Sequence, residues 1–202
     1  DGALAGMGAA EKVKHALFQS VTARTAGFNT VDVADTSNAG TLLLCGLMFV
    51  GAAPGSTGGG MKTTTFAILL AMGYSRMRNR DRIEMFGRTI PEDLAAKAIT
   101  TMVAFLGLIV AGTILLEYIQ FGSASHSVVP GRLMDFGFEV VSALGTVGLS
   151  VGATSVLEPA AKVVVVILMF AGRVGPLVVA STLIGRKKRF PYSYPEERVM
   201  VG

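Results

Sequence analysis

The sequence predicts an all-α membrane protein that contains two copies of one helical unit. Three observations support this fold class. The 202 residues are 51% hydrophobic and 16% charged, with a mean hydropathy of +0.56, which is too apolar for an ordinary soluble domain of this length. Several segments approach the ~20 apolar residues that cross a bilayer as a helix. Short sequence patterns also recur at a fixed offset, which is typical of membrane proteins built from internal repeats.

Three apolar segments are long enough to be membrane spans: residues 41–74, 98–116 and 163–185. The first is too long for one straight helix, and the stretch GAAPGSTGGGMK at residues 51–62 interrupts it near its middle. We therefore predict two half-helices joined by irregular backbone, named here the glycine loop. Lipid cannot hydrogen-bond to the peptide groups of such a loop. The loop is therefore predicted to be buried in protein or to line a water-filled cavity.

Basic residues predict the orientation of the spans. The stretches SRMRNRDRIEMFGR at 75–88 and GRKKRF at 185–190 are rich in Arg and Lys, whereas the regions 29–38, 122–130 and 150–159 carry few. Positively charged loops stay on the cytoplasmic side, so the connector 81–97 and the tail 191–202 are predicted to be cytoplasmic. A nucleic-acid partner is the alternative, and it is disfavoured because these basic runs flank spans.

An internal repeat relates the two halves of the chain. TAGFN at 25–29 corresponds to TVGLS at 146–150, and LMFVG at 47–51 to LMFAG at 168–172, both displaced by 121 residues. The helices that follow, from Phe66 and Leu177, are displaced by 111, so the glycine loop is an insertion of 10 residues in the first copy. Each unit contains a short amphipathic helix, a Thr-x-Gly turn and a span. The short helices cannot cross the bilayer, so we predict re-entrant, potassium-channel-like pore units.

The two Thr-x-Gly turns are the candidate ion-binding residues. A turn at membrane depth exposes backbone carbonyls, which replace the water shell of a cation in potassium-type filters, and Thr146, Val147 and Gly148 match the first letters of T-V-G-Y-G. A plain structural turn is the alternative, which the repetition of the motif disfavours. K⁺ is predicted at carbonyls around Gly27 and Gly148. The predicted filter turns comprise Thr25, Ala26, Gly27, Phe28, Thr146, Val147, Gly148 and Leu149.

An arginine lies in the middle of the third predicted span. Placing Arg173 at mid-membrane costs ~2.5–3.5 kcal/mol on insertion scales, so its side chain must face protein or water. We predict that Arg173 donates hydrogen bonds to carbonyls of the glycine loop and forms an electrostatic barrier along a cation path. The glycine loop also resembles the phosphate-binding pattern G-x-x-x-x-G-K, but Met61 separates Gly60 from Lys62. A nucleotide-binding enzyme is therefore the disfavoured alternative, and no enzymatic activity is predicted.

Four motifs together resemble the Trk/Ktr/HKT superfamily of cation transporters. They are FQSVTARTAGFNTVD at 18–32, GAAPGSTGGGMKTTTFA at 51–67, EVVSALGTVGLS at 139–150 and MFAGRVGPL at 169–177. GRVGPL and the ending YPEERVMVG resemble the KtrB branch in particular. The resemblance implies four span, pore-helix and span repeats around a central path, with one filter glycine per repeat. It also implies passive potassium uptake, sometimes sodium-dependent, without a cofactor.

The resemblance carries further expectations for this chain. Residues 1–80 would be the third repeat without its outer span, and residues 98–190 the fourth. The first two repeats would belong to an N-terminal half of the same protein that precedes this sequence. The partners implied are the lipid bilayer, a second copy in a homodimer, and a cytosolic ring of nucleotide-binding RCK subunits resembling KtrA. A non-conducting membrane scaffold is the alternative. The implied gate comprises Gly55, Ser56, Thr57, Gly58, Gly59, Gly60, Lys62 and Arg173.

Overall fold

The computed structural model describes residue 4 and residues 6–80, 82–122 and 132–175. Three predicted segments lie wholly or largely outside these ranges: the external loop 122–130, the second half of the third span and the tail 191–202. In the described part, helices dominate, which confirms the predicted fold class. The helices are α1 (Ala9–Thr22), α2 (Asn38–Phe49), α3 (Thr63–Met77), α4 (Glu92–Phe121), α5 (Arg132–Gly145), α6 (Ala153–Val156) and α7 (Pro159–Val174), and a hairpin consists of β1 (Ile83–Met85) and β2 (Arg88–Ile90).

The first predicted span is broken at the glycine loop. α2 ends at Phe49 and α3 begins at Thr63. Val50 and Met61 pair in an isolated parallel bridge, and the Gly51 amide donates to the Met61 carbonyl over 2.8 Å. The two ends of the loop therefore lie side by side, so the chain leaves and re-enters the span at the same level.

α4 is the single helix in the described ranges that is long and apolar enough to cross a membrane. It has 30 residues and extends beyond the predicted segment 98–116 at both ends. Glu92 and Asp93 lie in its first turn, where negative charges interact favourably with the positive end of the helix dipole. α7 ends at Val174.

The β-hairpin was not predicted, because its residues fall in the segment 81–97 that the charge pattern indicates only as a cytoplasmic connector. Ile83 pairs with Ile90 across the two strands. The turn between them consists of Phe86 and Gly87, with φ of 50° and 71°, and two such positive angles in a two-residue loop are the pattern of a type I′ turn. The Phe86 side chain at the tip is 95% exposed.

The second unit, here residues 98–175, packs as three helices. α4, α5 and α7 share one hydrophobic cluster that includes Phe105, Phe136, Val140 and Leu168. Gly112 of α4 lies where a Cβ atom would be 3.0 Å from Leu168 and 3.1 Å from Val140. The missing side chain therefore lets α4 pack closely against both neighbouring helices.

The first unit, residues 1–80, packs onto the second through α2. Leu44 and Met48 of α2 are buried in a second cluster with Phe138, Val141 and Leu149. The pore helix α1 has no comparable cover in the described structure, and its apolar residues Val13, Leu17 and Val21 are exposed. The first unit therefore covers the second through α2, whereas the apolar face of its own pore helix α1 is left uncovered.

We predict that Gly112→Leu destabilises the protein whereas Gly107→Leu does not. The larger side chain at position 112 would overlap Leu168 and Val140, and overpacking costs about 1–3 kcal/mol. A Cβ at Gly107, on the same helix, meets nothing within 4 Å, which makes it the matched control. Thermal unfolding of the detergent-solubilised protein measures the difference. Equal melting temperatures for the two variants would contradict the proposed close contact of α4 with α5 and α7.

Candidate cation filter and gate

The two filter turns have the same backbone conformation. Thr25 and Gly27 have φ of 69° and 75°, and Thr146 and Gly148 have φ of 52° and 90°. Ala26 and Val147, which lie between them, are not among the residues with positive φ. In a backbone that alternates between left- and right-handed residues, successive carbonyl oxygens point to the same side. Both turns therefore share the alternation of positive and non-positive φ that a carbonyl-lined filter would use.

Both turns contain a threonine in an unfavourable conformation. A β-branched residue at positive φ is a clear outlier, and such strained positions cost ~1–3 kcal/mol each and occur mainly at functional sites. The C-terminal ends of the pore helices hold the turns, since the Val147 amide donates to the Ser142 carbonyl over 2.9 Å and the Ala26 amide to the Thr22 carbonyl over 3.1 Å. The repeated outlier is the strongest structural indication that these turns have a function.

The filter turns lie against one another. A Cβ atom on Gly27 would be 2.3 Å from the Val147 carbonyl oxygen, and one on Gly148 would be 3.8 Å from the Gly27 Cα. Position 27 therefore has no room for a side chain, in addition to its positive φ. Residues 121 positions apart are thus brought into direct contact by the packing of the two units, as two neighbouring parts of one ring would be.

The two turns differ in what covers them. Leu149 is 3% exposed and packs on Leu44 and Met48 of the other unit. Its equivalent in the first unit, Phe28, is 71% exposed. The described residues contain no unit that would stand before the first one and cover Phe28.

The glycine loop lies against the threonine end of both filter turns. The Gly59 amide donates to Thr146 Oγ1 over 2.8 Å, and the Gly60 amide donates to the Leu144 carbonyl over 3.2 Å. A Cβ on Gly58 would be 2.8 Å from Thr25 Oγ1, and one on Gly59 would be 2.8 Å from Thr146 Oγ1. Residues 58–60 are buried, while residues 53–57 form an exposed tip. Glycine therefore permits the loop to close directly on both turns.

Lys62 stabilises the glycine loop from within. Its Nζ donates to the Ser56 carbonyl over 3.1 Å and to the Gly58 carbonyl over 2.6 Å. Its ammonium group thus satisfies two loop carbonyls with charge-assisted hydrogen bonds. At the 111-residue offset of the inner helices, Lys62 is the counterpart of Arg173.

The hydrogen bonds predicted between Arg173 and the glycine loop are absent from this structure. Arg173 lies in the last turn of α7 with an exposed side chain. The carbonyls of Ser56 and Gly58 accept from Lys62 Nζ instead. The residue before it, Gly172, does meet the loop, because its carbonyl oxygen is 3.1 Å from a Cβ built on Gly59. A barrier formed by Arg173 stays a prediction.

The glycine loop does not offer the amide cradle of a phosphate site. Three of its amide groups already have acceptors within the protein, because Gly58 donates to Ser56 Oγ, Gly59 to Thr146 Oγ1 and Gly60 to the Leu144 carbonyl. The lysine that would reach a phosphate is bonded to the loop itself. These contacts argue against the nucleotide-binding alternative.

Two polar side chains that support the filter turns were not predicted. Thr22 is buried, and its hydroxyl accepts from the Phe28 amide over 2.9 Å. Glu139 is 4% exposed and lies in the middle of α5. A carboxylate within an apolar helix was the available signal for Glu139, whereas a threonine near a helix end gave none.

Re-entrant helices, paired strained turns and a glycine loop that closes on them define a membrane transporter of the pore-repeat class. The family model described as "TrkH: Cation transport protein" matches residues 2–191. The chain belongs to this TrkH family of cation transport proteins.

The relatives found by sequence are bacterial uptake proteins. The chain is 38% identical over 195 residues to the potassium/sodium uptake protein NtpJ of Enterococcus hirae, covering 95% of this chain and 42% of NtpJ. It is 40% identical over 188 residues to the Ktr system potassium uptake protein D of Bacillus subtilis, covering 92% of this chain and 39% of that protein. The chain thus spans about two-fifths of the length of these relatives.

A solved structure has the same fold. The potassium transporter TrkH from Vibrio parahaemolyticus superposes with a TM-score of 0.70 at 22% sequence identity, over 91% of this chain and 40% of TrkH. The similarity confirms the pore-repeat architecture of the described helices.

We predict that Lys62→Met loosens the glycine loop. The variant removes both hydrogen bonds from the ammonium group, and a bond to a charged group contributes ~1.5–3 kcal/mol. Amide hydrogen exchange in residues 51–60 should therefore become faster by at least about tenfold, as measured by mass spectrometry of the corresponding peptides. Lys97→Met is the control, because Lys97 contacts only the exposed Asp93 at 3.5 Å. Unchanged exchange in the Lys62 variant would refute the role of this side chain.

Proposed function

We propose that this chain, with the rest of its polypeptide, conducts potassium passively across the plasma membrane through the filter turns. The observation that carries the proposal is the pair of Thr-x-Gly turns with matching positive φ at Thr25 and Gly27 and at Thr146 and Gly148. Aligned carbonyls at membrane depth replace the hydration shell of a cation. The printed names of the relatives, which refer to potassium or potassium/sodium uptake, support the same substrate class.

The glycine loop is proposed as the gate. It touches the threonine of both filter turns, and its buried part, residues 58–60, lies where a cation would leave them. An inside-negative potential supplies ~2.3 kcal/mol per charge per 100 mV, so a cation moves inward without a motor. Such a protein requires a selective filter and a means to close the path. Sodium is proposed as a second transported or coupling ion, in line with the name of NtpJ.

The complete path requires two further turns. Two filter turns make half of a four-sided ring, and the exposed Phe28 and the uncovered face of α1 mark where another unit would pack. The relatives are more than twice as long as the matched region. We therefore place this chain as the C-terminal half of a protein whose N-terminal half completes the ring.

The basic connector is proposed to be cytoplasmic, with the C-terminal tail on the same side. Arg76, Arg78, Arg80 and Arg82 precede or enter the hairpin, and arginine-rich loops stay in the cytoplasm. A homodimer and a cytosolic nucleotide-binding RCK subunit are proposed as partners. Support comes from the resemblance to the KtrB branch and from the term "Ktr system" in the names of three relatives.

The filter assignment predicts that Gly148→Ser reduces the preference for rubidium over sodium. A serine at a φ of 90° strains the turn by ~1–3 kcal/mol, so the ratio of rubidium to sodium flux should fall by about tenfold. The measurement is tracer flux into liposomes that contain the complete protein. Gly87→Ser is the matched control, because Gly87 in the hairpin turn also has a positive φ, 71°, with nothing within 4 Å of an added Cβ.

The same assay separates conduction from a scaffold role. A conducting protein predicts that the Gly87 variant keeps the ratio and the Gly148 variant loses it. If the Gly148 variant assembles and its flux and ratio match the original protein, the filter assignment is wrong. A complete protein that assembles normally and carries no rubidium would favour the non-conducting scaffold.

A further inference from the structure

A buried carboxylate lies behind the second filter turn. Glu139 is at the middle of the pore helix α5 and is 4% exposed. Both of its oxygens accept hydrogen bonds from hydroxyl groups: Ser150 Oγ donates to Oε1, and Thr154 Oγ1 donates to Oε2 over 2.6 Å. Neither salt bridge found in the described residues includes Glu139. The two hydroxyls are therefore its polar partners in this part of the protein.

These hydrogen bonds fix the segment that follows the filter. Ser150 is two residues beyond Gly148, and its Oγ also accepts from the Gly152 amide over 2.9 Å. Gly152 in turn is the N-cap of α6, which contains Thr154. The carboxylate thus ties residues 150–154 to the pore helix, so the backbone of the filter turn is held at both ends.

The first unit holds its filter turn by a different device. At the 121-residue offset, Phe18 stands in the place of Glu139, and Thr22 stands in the place of Ala143. The Thr22 hydroxyl donates to the Phe28 carbonyl and accepts from the Phe28 amide. Ala143 has no hydroxyl that could do the same for Leu149. Gln19 Nε2 of the first unit also donates to the Val31 carbonyl over 3.3 Å, and His15 Nδ1 lies 2.9 Å from Thr30 Oγ1. Polar side chains of the pore helix therefore hold the residues after the filter glycine in both units, but they are different side chains.

The carboxylate is not required to fill space. A phenylalanine occupies the equivalent position in the first unit, and burying a charge without an opposite charge is costly. Hydrogen bonds to a charged acceptor are stronger than those to a neutral one. Glu139 is thus suited to hold a short segment rigidly in one place.

We propose that Glu139 is a positioning residue that sets cation selectivity by fixing the carbonyls of Gly148 and Leu149 through Ser150 and Thr154. The inference rests on the proposed conduction through the filter turns. Because both oxygens of Glu139 bond to hydroxyl groups beyond the filter glycine, its effect on ion choice is indirect and acts through the position of the carbonyls.

The experiment measures the ratio of rubidium to sodium flux in liposomes that contain the complete protein. Glu139→Gln keeps the size of the side chain but replaces one acceptor oxygen by an amino group. The ratio should fall by about tenfold, as expected when a hydrogen bond to a charged group is lost. Ser150→Ala should lower it in the same direction. The double variant should be no worse than Glu139→Gln alone, because both changes break one network.

Glu158→Gln is the matched control. Glu158 is exposed and follows the same filter turn, and its side chain makes no hydrogen bond to a described residue. The Glu158→Gln variant removes the same charge as Glu139→Gln. Its flux ratio should match that of the original protein. If the flux ratio of Glu158→Gln fell as far as that of Glu139→Gln, the electrostatic potential of the external surface would be responsible. That result would overturn the proposal.

The remaining outcomes also test the role of Glu139. If Glu139→Gln and Ser150→Ala both assemble with an unchanged ratio, Glu139 is a structural residue and the proposal is wrong. If Glu139→Gln does not fold, Ser150→Ala alone decides, because it leaves the carboxylate intact. The original protein is measured in every series: absence of rubidium flux there would refute the proposed function, whereas intact flux with unaffected variants would refute only the role of Glu139.

Discussion

The structure depends on one constraint: irregular backbone at membrane depth must have its hydrogen bonds satisfied without water. The glycine loop meets this constraint in three ways. Its two ends hydrogen-bond to one another at Gly51 and Met61. Lys62 Nζ donates hydrogen bonds to carbonyls near its tip, and Thr146 Oγ1 accepts a hydrogen bond from the Gly59 amide. The last contact makes the loop and the filter a single unit, because the group that satisfies the loop belongs to a filter turn.

The two units have similar filter-turn backbones but differ in the side chains that support them. Their backbones match at the filter turns, yet one turn is anchored by Thr22 and the other by Glu139 through Ser150. The inner helix is interrupted in the first unit, whereas α7 of the second continues past Gly172 to Val174. Under the proposed function, a ring with unequal members permits one unit to carry the gate while every unit contributes carbonyls. Leu149 shares a buried cluster with Leu44 and Met48 of α2, so the first unit supports the filter turn of the second.

Sequence was sufficient wherever the signal was local or repeated. The length of segment 41–74 and its glycines predicted the broken span, and the repeat predicted two equivalent turns. The β-hairpin was missed because Arg-rich flanks obscured two three-residue strands. Contacts between residues far apart in the chain could not be predicted from the sequence: the hydrogen bond from Gly59 to Thr146 joins positions 87 apart. Arg173 and Lys62 were both predicted to belong to the gate, and the donor to the loop carbonyls in the structure is Lys62, which lies only four residues from Gly58.

The central claim, that the glycine loop closes a path already made selective by the filter turns, is tested most directly by deleting residues 51–60 from the complete protein. The deletion joins Val50 to Met61, which are paired neighbours, and its length equals that of the insertion in the first unit. Rubidium flux into liposomes is then compared with that of the original protein. The account predicts a higher flux with an unchanged ratio of rubidium to sodium. An unchanged flux, or a higher flux without ion preference, would contradict it.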